Sequence, residues 1–329
     1  MAQLELLGVT GVADIQQSLS FFNTPIWTAI THLGDGLLPL LLFVGACIAR
    51  RIRFALVIGI LSSSTGIIVG LLKQLLQDPR PYLISDQFTI HAMGSGFGMP
   101  SGHSATGLIT LAVIGMFLDK RYFLVLIPLI VLVGLSRVYL GVHTLGQVMA
   151  GWLVALVIIG TYWIFARDTA SFLKFYSRAV TLILVTCSTL VFVLAHVYID
   201  LSVQPQFSIP DLWQQNDIRA YELLAVPEDE YSPLSLFQSH RIVLVGLYAG
   251  FCMAALLGWS KTDKMIKDKS TMVVNGIIVV AAFVAVFVLS KILEHHLYVL
   301  FIVFTIFPIF TVAWSPALSH RLVSRQTML

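Results

Sequence analysis

The sequence predicts an all-α integral membrane protein with about nine transmembrane helices. Of its 329 residues, 57% are hydrophobic and only 11% are charged, and the mean hydropathy is +0.89. A water-soluble domain of this length needs more charged residues to cover its surface. Apolar stretches near the length of a hydrocarbon core recur along the whole chain. Cys47, Cys187 and Cys252 lie inside such stretches and are expected to be small core residues.

The predicted spans are the apolar runs between charged breaks. Asp35 and Gly36 interrupt the first of them, and residues 1–28 are expected to form an amphipathic segment at the membrane interface. A long, proline-containing outer loop follows the sixth span, at about 200–240; it is expected to be either a lid or specificity element or a packed cap without a catalytic role. The spans lie near residues 30–49, 54–75, 103–118, 122–140, 143–166, 179–199, 241–259, 272–292 and 297–317.

The distribution of basic residues predicts the orientation of the chain. Fourteen of the 20 Lys and Arg residues fall on one side of the predicted spans. The positive-inside rule assigns that side to the cytoplasm, which puts the N-terminus outside and the C-terminus in the cytoplasm. Basic residues on the outer side are exceptions to this rule. For Lys73, Arg80 and Arg137, the motifs that contain them provide a functional explanation.

The first motif lies where the second predicted span ends and reads Lys73-Gln-Leu-Leu-Gln-Asp-Pro-Arg80-Pro81. Pro79 and Pro81 restrict the backbone on both sides of Arg80 and so limit where its side chain can go. Taken alone, the motif is also compatible with ordinary basic side chains that reach from a helix end to the interface.

The second motif, Pro100-Ser101-Gly102-His103, opens the third predicted span after a glycine-rich stretch. A helix start presents free backbone N–H groups and the positive end of the helix dipole. Gly102 lets an anion approach the main chain closely, and Ser101 adds a hydroxyl donor. We interpret the motif as an anion site beside His103, since an ordinary N-cap explains the serine but not the histidine.

The third motif reads Ser136-Arg137-Val-Tyr-Leu-Gly-Val-His143-Thr-Leu-Gly-Gln147. On one continuous helix, Arg137 and His143 would point about 120° apart. We therefore expect the chain to break near Gly141, so that both side chains face one outer pocket. Gln147 lies one turn beyond His143 on the same helix face.

The predicted topology brings the three motifs to one side of the membrane. Their cationic groups suit a tetrahedral oxyanion, and two histidines suit a nucleophile and a general acid. The other histidines lack the spacing of metal ligands, so the sequence predicts neither a metal site nor another cofactor.

These motifs, in this order, resemble those of the type 2 phosphatidic acid phosphatase (PAP2) superfamily. The resemblance implies a PAP2-type helical core and a phosphatase that forms a phosphohistidine on His143, with His103 as the acid that protonates the leaving oxygen. It further implies a catalytic core over residues 1–170, followed by a four-span region over 171–329. The phosphate would be held by Lys73, Arg80, Ser101, Gly102 and Arg137.

Gln147 departs from the family pattern, in which an aspartate usually follows the nucleophilic histidine by four residues. A glutamine carbonyl can accept the Nδ1–H of His143 but supplies no charge. We therefore expect a working nucleophile with less electrostatic assistance, and expect Gln147→Asp to retain turnover and phosphohistidine. Glucose-6-phosphatases of the same superfamily resemble this chain at that position, in the run that surrounds it and in their layout of spans.

The function that this resemblance implies is hydrolysis of phosphate monoesters at an extracytoplasmic site. The expected partners are the bilayer and a phosphorylated lipid, or a sugar phosphate or other small phosphate ester as the alternative, and no nucleic acid. An oxidoreductase similar to the vanadium haloperoxidases is disfavoured because those enzymes are typically soluble. A non-catalytic transporter or scaffold is favoured only by Gln147.

Overall fold

The computed structural model describes residues 8–165, 178–227, 230, 234–237, 242–262, 269–293 and 296–326, and its regular elements within these ranges are all helical. Short 3₁₀ or π turns extend several of the helices. In chain order the α-helices are α1 (Gly11–Ser18), α2 (Thr24–Thr31), α3 (Leu37–Ile48), α4 (Ile52–Leu76), α5 (Pro81–Ile84), α6 (Gly102–Phe117), α7 (Phe123–Tyr139), α8 (Leu145–Phe165), α9 (Arg178–Tyr198), α10 (Asp211–Leu223), α11 (Ile242–Thr262), α12 (Lys269–Ile292), α13 (Leu297–Ile309) and α14 (Ser315–Gln326).

The described helices include six segments that are long and apolar enough to cross a membrane. A seventh arises if the bent pair Thr24–Gly34 and Leu37–Ile48 counts as one span, and Gly102–Phe117 and Ile242–Leu257 are shorter apolar helices. The chain is therefore a multi-pass, all-helical membrane protein. The count of nine spans and the orientation stay predictions.

Two breaks in the helices fall where the sequence predicts them. The first predicted span is bent by 55° between its two halves, at Asp35 and Gly36. The break between Arg137 and His143 is also present, because α7 ends at Tyr139 and α8 begins at Leu145. Gly141 has a φ of 76° there, a conformation that glycine adopts without steric cost.

Contacts divide the chain into two compact units. The first, drawn from Met1–Leu38, Ile68–Ile159 and Ala195–Ser239, contains all three motifs. Its core is a cluster of apolar side chains, in which Trp27 stacks on Tyr139 with ring centroids 5.3 Å apart. The motifs are thus carried by a packed scaffold, which limits the movement of their side chains.

The second unit is drawn from Pro39–Ile67, Gly160–Leu194 and His240–Leu329. Within it, buried serine hydroxyls donate to Asn275 Oδ1, Ser315 at 2.9 Å and Ser319 at 3.4 Å. Polar contacts of this kind between helices contribute to helix association in a membrane. The predicted boundary near residue 170 stays a prediction.

The long segment after α9 contains a helix, α10, that packs on the short helix α5. Asn216 Nδ2 donates to the Leu83 carbonyl at 2.9 Å, and Arg219 Nη1 pairs with Asp86 Oδ2 at 3.0 Å. Because α5 begins directly after Arg80, α10 restrains the backbone that carries this arginine. Residues 228–229, 231–233 and 238–240 of the predicted loop lie outside the described residues.

Asp217 on α10 is a buried carboxylate, and its Oδ2 has no hydrogen-bond partner among the described residues. Burial raises the pKa of Asp217 to about 6. The folded protein then binds more protons than the unfolded chain between about pH 4 and pH 6, so the free energy of unfolding falls as the pH rises through this window. At pH 7, Asp217→Asn is expected to stabilise the protein by about 1 kcal/mol, because an amide carries no charge to desolvate.

The measurement is the melting temperature in detergent at pH 4 and pH 7. The gain is expected at pH 7 only. Asp211→Asn is the matched control, since Asp211 is exposed on the same helix. An equal gain at both pH values, or none at pH 7, would contradict the assignment.

Candidate active site

Arg80 joins the loop after α5 to the turn before α8. Its Nε donates to the Gly96 carbonyl at 2.9 Å and its Nη2 to the Ser95 carbonyl at 2.6 Å. Its Nη1 donates to the Val142 carbonyl at 3.1 Å and lies 3.2 Å from His143 Nε2. The first and third motifs therefore meet at this guanidinium, which is 4% exposed.

The glycine-rich stretch wraps around the two basic residues of the first motif. Lys73 Nζ donates to the carbonyls of Phe97 and, at 3.2 Å, of Gly98. A methyl group on Gly94 would lie 2.5 Å from the guanidinium carbon of Arg80, so the chain passes there only because that side chain is absent.

The second motif begins α6, as predicted. Ser101 is its N-cap: Oγ accepts from the Ser104 backbone N–H at 3.5 Å and from the Ser104 hydroxyl at 2.9 Å. The Ser101 N–H donates to the Gln147 carbonyl at 2.9 Å, which ties the second motif to the third. Beside it, a methyl group on Gly102 would meet only Val69, at 3.8 Å, so the helix start is open at that position.

Arg137 and His103 complete the cationic surroundings. Arg137 Nη1 donates to Thr31 Oγ1 at 2.7 Å, while its buried Nε has no hydrogen-bond partner among the described residues. His103 is partly buried, and the charges of Arg137, Arg80 and Lys73 all act on it. An anion bound here would supply the acceptor that Arg137 Nε lacks.

His143 is buried in the turn between α7 and α8, and both of its ring nitrogens have a neighbour. Nδ1 lies 3.1 Å from Gln147 Oε1, an acceptor only, so Nδ1 carries the proton and Nε2 is left with a lone pair. The charges of Arg80, Lys73 and Arg137 act on the ring. This neutral tautomer is the form in which an imidazole attacks an electrophile through Nε2.

Sequence reasoning missed two partners of these residues, Asp78 and Thr31. Gln147 Nε2 donates to Asp78 Oδ2 at 2.6 Å and to the Pro79 carbonyl at 2.8 Å. Asp78 lies inside the first motif, where its position beside Pro79 was a signal that could have been used. Thr31 carries no such signal, because its contact with Arg137 joins residues 106 positions apart.

Aromatic rings from the long segment after α9 lie against the loop that holds Lys73. The Phe97 ring meets Phe207 and Phe237, each with centroids 5.3 Å apart and nearly perpendicular planes. Phe207 also lies 6.0 Å from Trp213 on α10. Phe97 is fully buried, whereas Phe207 and Phe237 are partly exposed, so these two rings supply the apolar aromatic surface next to this loop.

The sequence of this chain is similar to those of known phosphatases. The PAP2 superfamily matches residues 52–171. Phosphatidylglycerophosphatase B of Bacillus subtilis is 31% identical over 147 residues, which cover 40% of this chain and 70% of that protein. Lipid A 1-phosphatase of Helicobacter pylori strain J99 is 44% identical over 73 residues, 21% of this chain and 36% of that protein. No solved structure matches the chain significantly.

The helical membrane fold and these matches define the chain as a membrane phosphoric monoester hydrolase. It belongs to the PAP2 superfamily. The predicted enzyme class is therefore confirmed, whereas a particular closeness to glucose-6-phosphatases stays a prediction.

Proposed function

We propose that this enzyme hydrolyses lipid phosphates through a phosphohistidine on His143 at an extracytoplasmic site. One observation carries the mechanism: His143 Nδ1 is oriented by Gln147 at 3.1 Å, while Nε2 lies 3.2 Å from the Arg80 guanidinium. Because the Arg80 guanidinium lies beside Nε2, it can neutralise the phosphate oxygens while Nε2 attacks phosphorus.

In the first step, His143 Nε2 attacks phosphorus and the bond from phosphorus to the ester oxygen breaks. The negative charge of the bound phosphate favours protonation of His103, which the surrounding cationic side chains oppose. Protonated His103 gives its proton to the departing oxygen, which leaves as an alcohol. Lys73, Arg80, Arg137, Ser101 and the N–H of Gly102 bind the non-bridging oxygens, whose charge spreads in the transition state.

In the second step, His103, now neutral, takes a proton from water as the water oxygen attacks phosphorus. The phosphorus–nitrogen bond breaks, inorganic phosphate leaves, and both imidazoles return to their starting forms. His103 supplies the proton for the first step, and the attacking water returns that proton to His103 in the second, so the two steps balance without another donor.

A lipid phosphate is favoured by the relatives and by the surroundings of the site. The curated relatives are named as phosphatases of phosphatidylglycerophosphate and of lipid A. Phe207 and Phe237, which are partly exposed and pack on the buried Phe97 ring, offer apolar surface next to the loop that holds Lys73. A lipid would enter the site sideways between helices.

A sugar phosphate is the second candidate, and Gln147 favours it. Glucose-6-phosphatases resemble this chain at that position, and a soluble ester would enter through the outer mouth. The two candidates share the phosphate chemistry and differ only in the leaving group.

The test is to assay the purified protein against phosphatidic acid, phosphatidylglycerophosphate, a lysolipid phosphate, an isoprenyl diphosphate and glucose 6-phosphate. We expect kcat/KM at least about 100-fold higher for a lipid phosphate than for the sugar phosphate, because apolar contacts add binding energy. Preference for glucose 6-phosphate would overturn the lipid assignment and leave the phosphatase assignment intact.

The extracytoplasmic face is supported by the distribution of basic residues. The same assay in sealed vesicles, with a membrane-impermeant phosphate ester, distinguishes the faces. Hydrolysis is expected with the periplasmic, extracellular or luminal side outward, and hydrolysis only with the cytoplasmic side outward would contradict this orientation.

A further inference from the structure

The amide of Gln147 bridges an imidazole and a carboxylate. Its Oε1 lies 3.1 Å from His143 Nδ1 and accepts from the Thr144 backbone N–H at 3.2 Å. Its Nε2 donates to Asp78 Oδ2 at 2.6 Å and to the Pro79 carbonyl at 2.8 Å. One end faces a backbone donor and the other faces two acceptors, so the orientation of the amide is determined by its partners.

We propose that Asp78 is a positioning residue for the reaction, and that Gln147 transmits the effect of its negative charge to His143 Nδ1. The proposal rests on the proposed function of His143. It assigns to Asp78, in the first motif, the charge that an aspartate at position 147 would supply directly.

The physical basis is polarisation along a chain of hydrogen bonds. A carboxylate that accepts from an amide N–H increases the negative charge on the amide oxygen, and each bond strengthens the next. His143 gains positive charge as Nε2 bonds to phosphorus, and the Nδ1–H···Oε1 bond strengthens in that state. A charge that acts in the transition state more than in the ground state raises kcat rather than lowering KM.

The Gln147 amide is closely packed, and both its oxygen and its nitrogen have hydrogen-bond partners. Gln147 is 4% exposed, and a methyl group on Gly98 would collide with its Nε2. The Gly98 N–H donates to the backbone carbonyl of Asp78 at 2.6 Å. The loop that holds Lys73 therefore also confines the carboxylate and the amide to this geometry.

The test is a cycle of isosteric variants: Asp78→Asn, Gln147→Glu and the double variant that exchanges amide and carboxylate. Asp78→Asn keeps an acceptor and removes the charge, so kcat is expected to fall about 5- to 10-fold with KM nearly unchanged. Gln147→Glu puts two carboxylates in contact and is expected to lower kcat further, with activity returning as the pH falls and the pair shares a proton. The double variant is expected to recover most of the activity and to lose that pH dependence.

Each outcome decides the proposal once melting temperatures show that the variants are folded. The proposal would be overturned if the losses in kcat of the two single variants multiplied in the double variant. It would also be overturned if Asp78→Asn kept the wild-type kcat and pH profile, because Asp78 would then have a structural role only. Failure of the proposed function looks different, because the wild-type protein and His143→Ala would then release phosphate equally.

Discussion

Replacing His143 with alanine is expected to lower phosphate release on the order of a thousandfold or more, because the proposed nucleophile and its phosphoryl intermediate are both lost. The charges of Arg80, Lys73 and Arg137 still act at the site, so substrate binding is expected to change far less than kcat. The measurement combines steady-state release of phosphate with quenching of the enzyme on labelled substrate. The wild type is expected to yield an acid-labile phosphohistidine and the variant none.

His296→Ala is the matched control, since His296 is an exposed histidine that precedes α13. Its activity and labelling are expected to equal those of the wild type. Unchanged phosphate release by folded His143→Ala from every ester tested would refute the mechanism.

Replacing His103 with glutamine is expected to produce a loss that depends on the leaving group. An alkyl oxygen is a poor leaving group without a proton, so kcat for a lipid phosphate is expected to fall about 10²- to 10⁴-fold. Nitrophenolate needs no proton, so the first turnover of p-nitrophenyl phosphate is expected to be nearly normal. The second step still needs a base, and the phosphoenzyme should therefore accumulate after a burst of nitrophenolate.

The measurement is rapid-mixing kinetics with both esters, together with the yield of phosphohistidine. His91→Gln serves as the control, because His91 is a partly exposed histidine of the same compact unit and stacks on Tyr139. Equal losses with both esters would show that His103 is not the proton donor. Together with His143→Ala, this variant separates formation of the intermediate from its breakdown.

The three motifs are visible in the sequence, whereas the partners of their side chains are not. Arg80 and His143 belong to two of these motifs, and the structure brings Arg80 Nη1 within 3.2 Å of His143 Nε2. A spacing of six residues cannot place two side chains on the same face of one helix. The predicted break near Gly141 is confirmed, because α7 ends at Tyr139 and α8 begins at Leu145. The sequence alone does not show that α10 packs on α5, since that contact depends on how the long segment after α9 folds back.

The prediction that Gln147 gives His143 less electrostatic assistance considers only the residue at that position, where an aspartate is usual. The structure puts the Asp78 carboxylate 2.6 Å from the other end of the same amide. The sequence predicts that Gln147→Asp retains turnover. In the folded protein the new carboxylate would lie near that of Asp78, and the exchange variants of Asp78 and Gln147 test how the enzyme responds to such a pair.

The linear chain was enough to establish a helical membrane protein with three chemically matched motifs, because hydropathy and residue identity are properties of short segments. Tertiary structure alone decided which groups touch: Asp78 with Gln147, Val142 with Arg80, and Thr31 with Arg137, separated by 69, 62 and 106 positions. Hydrogen bonds require both distance and direction, and folding of the whole unit sets these for residues so far apart.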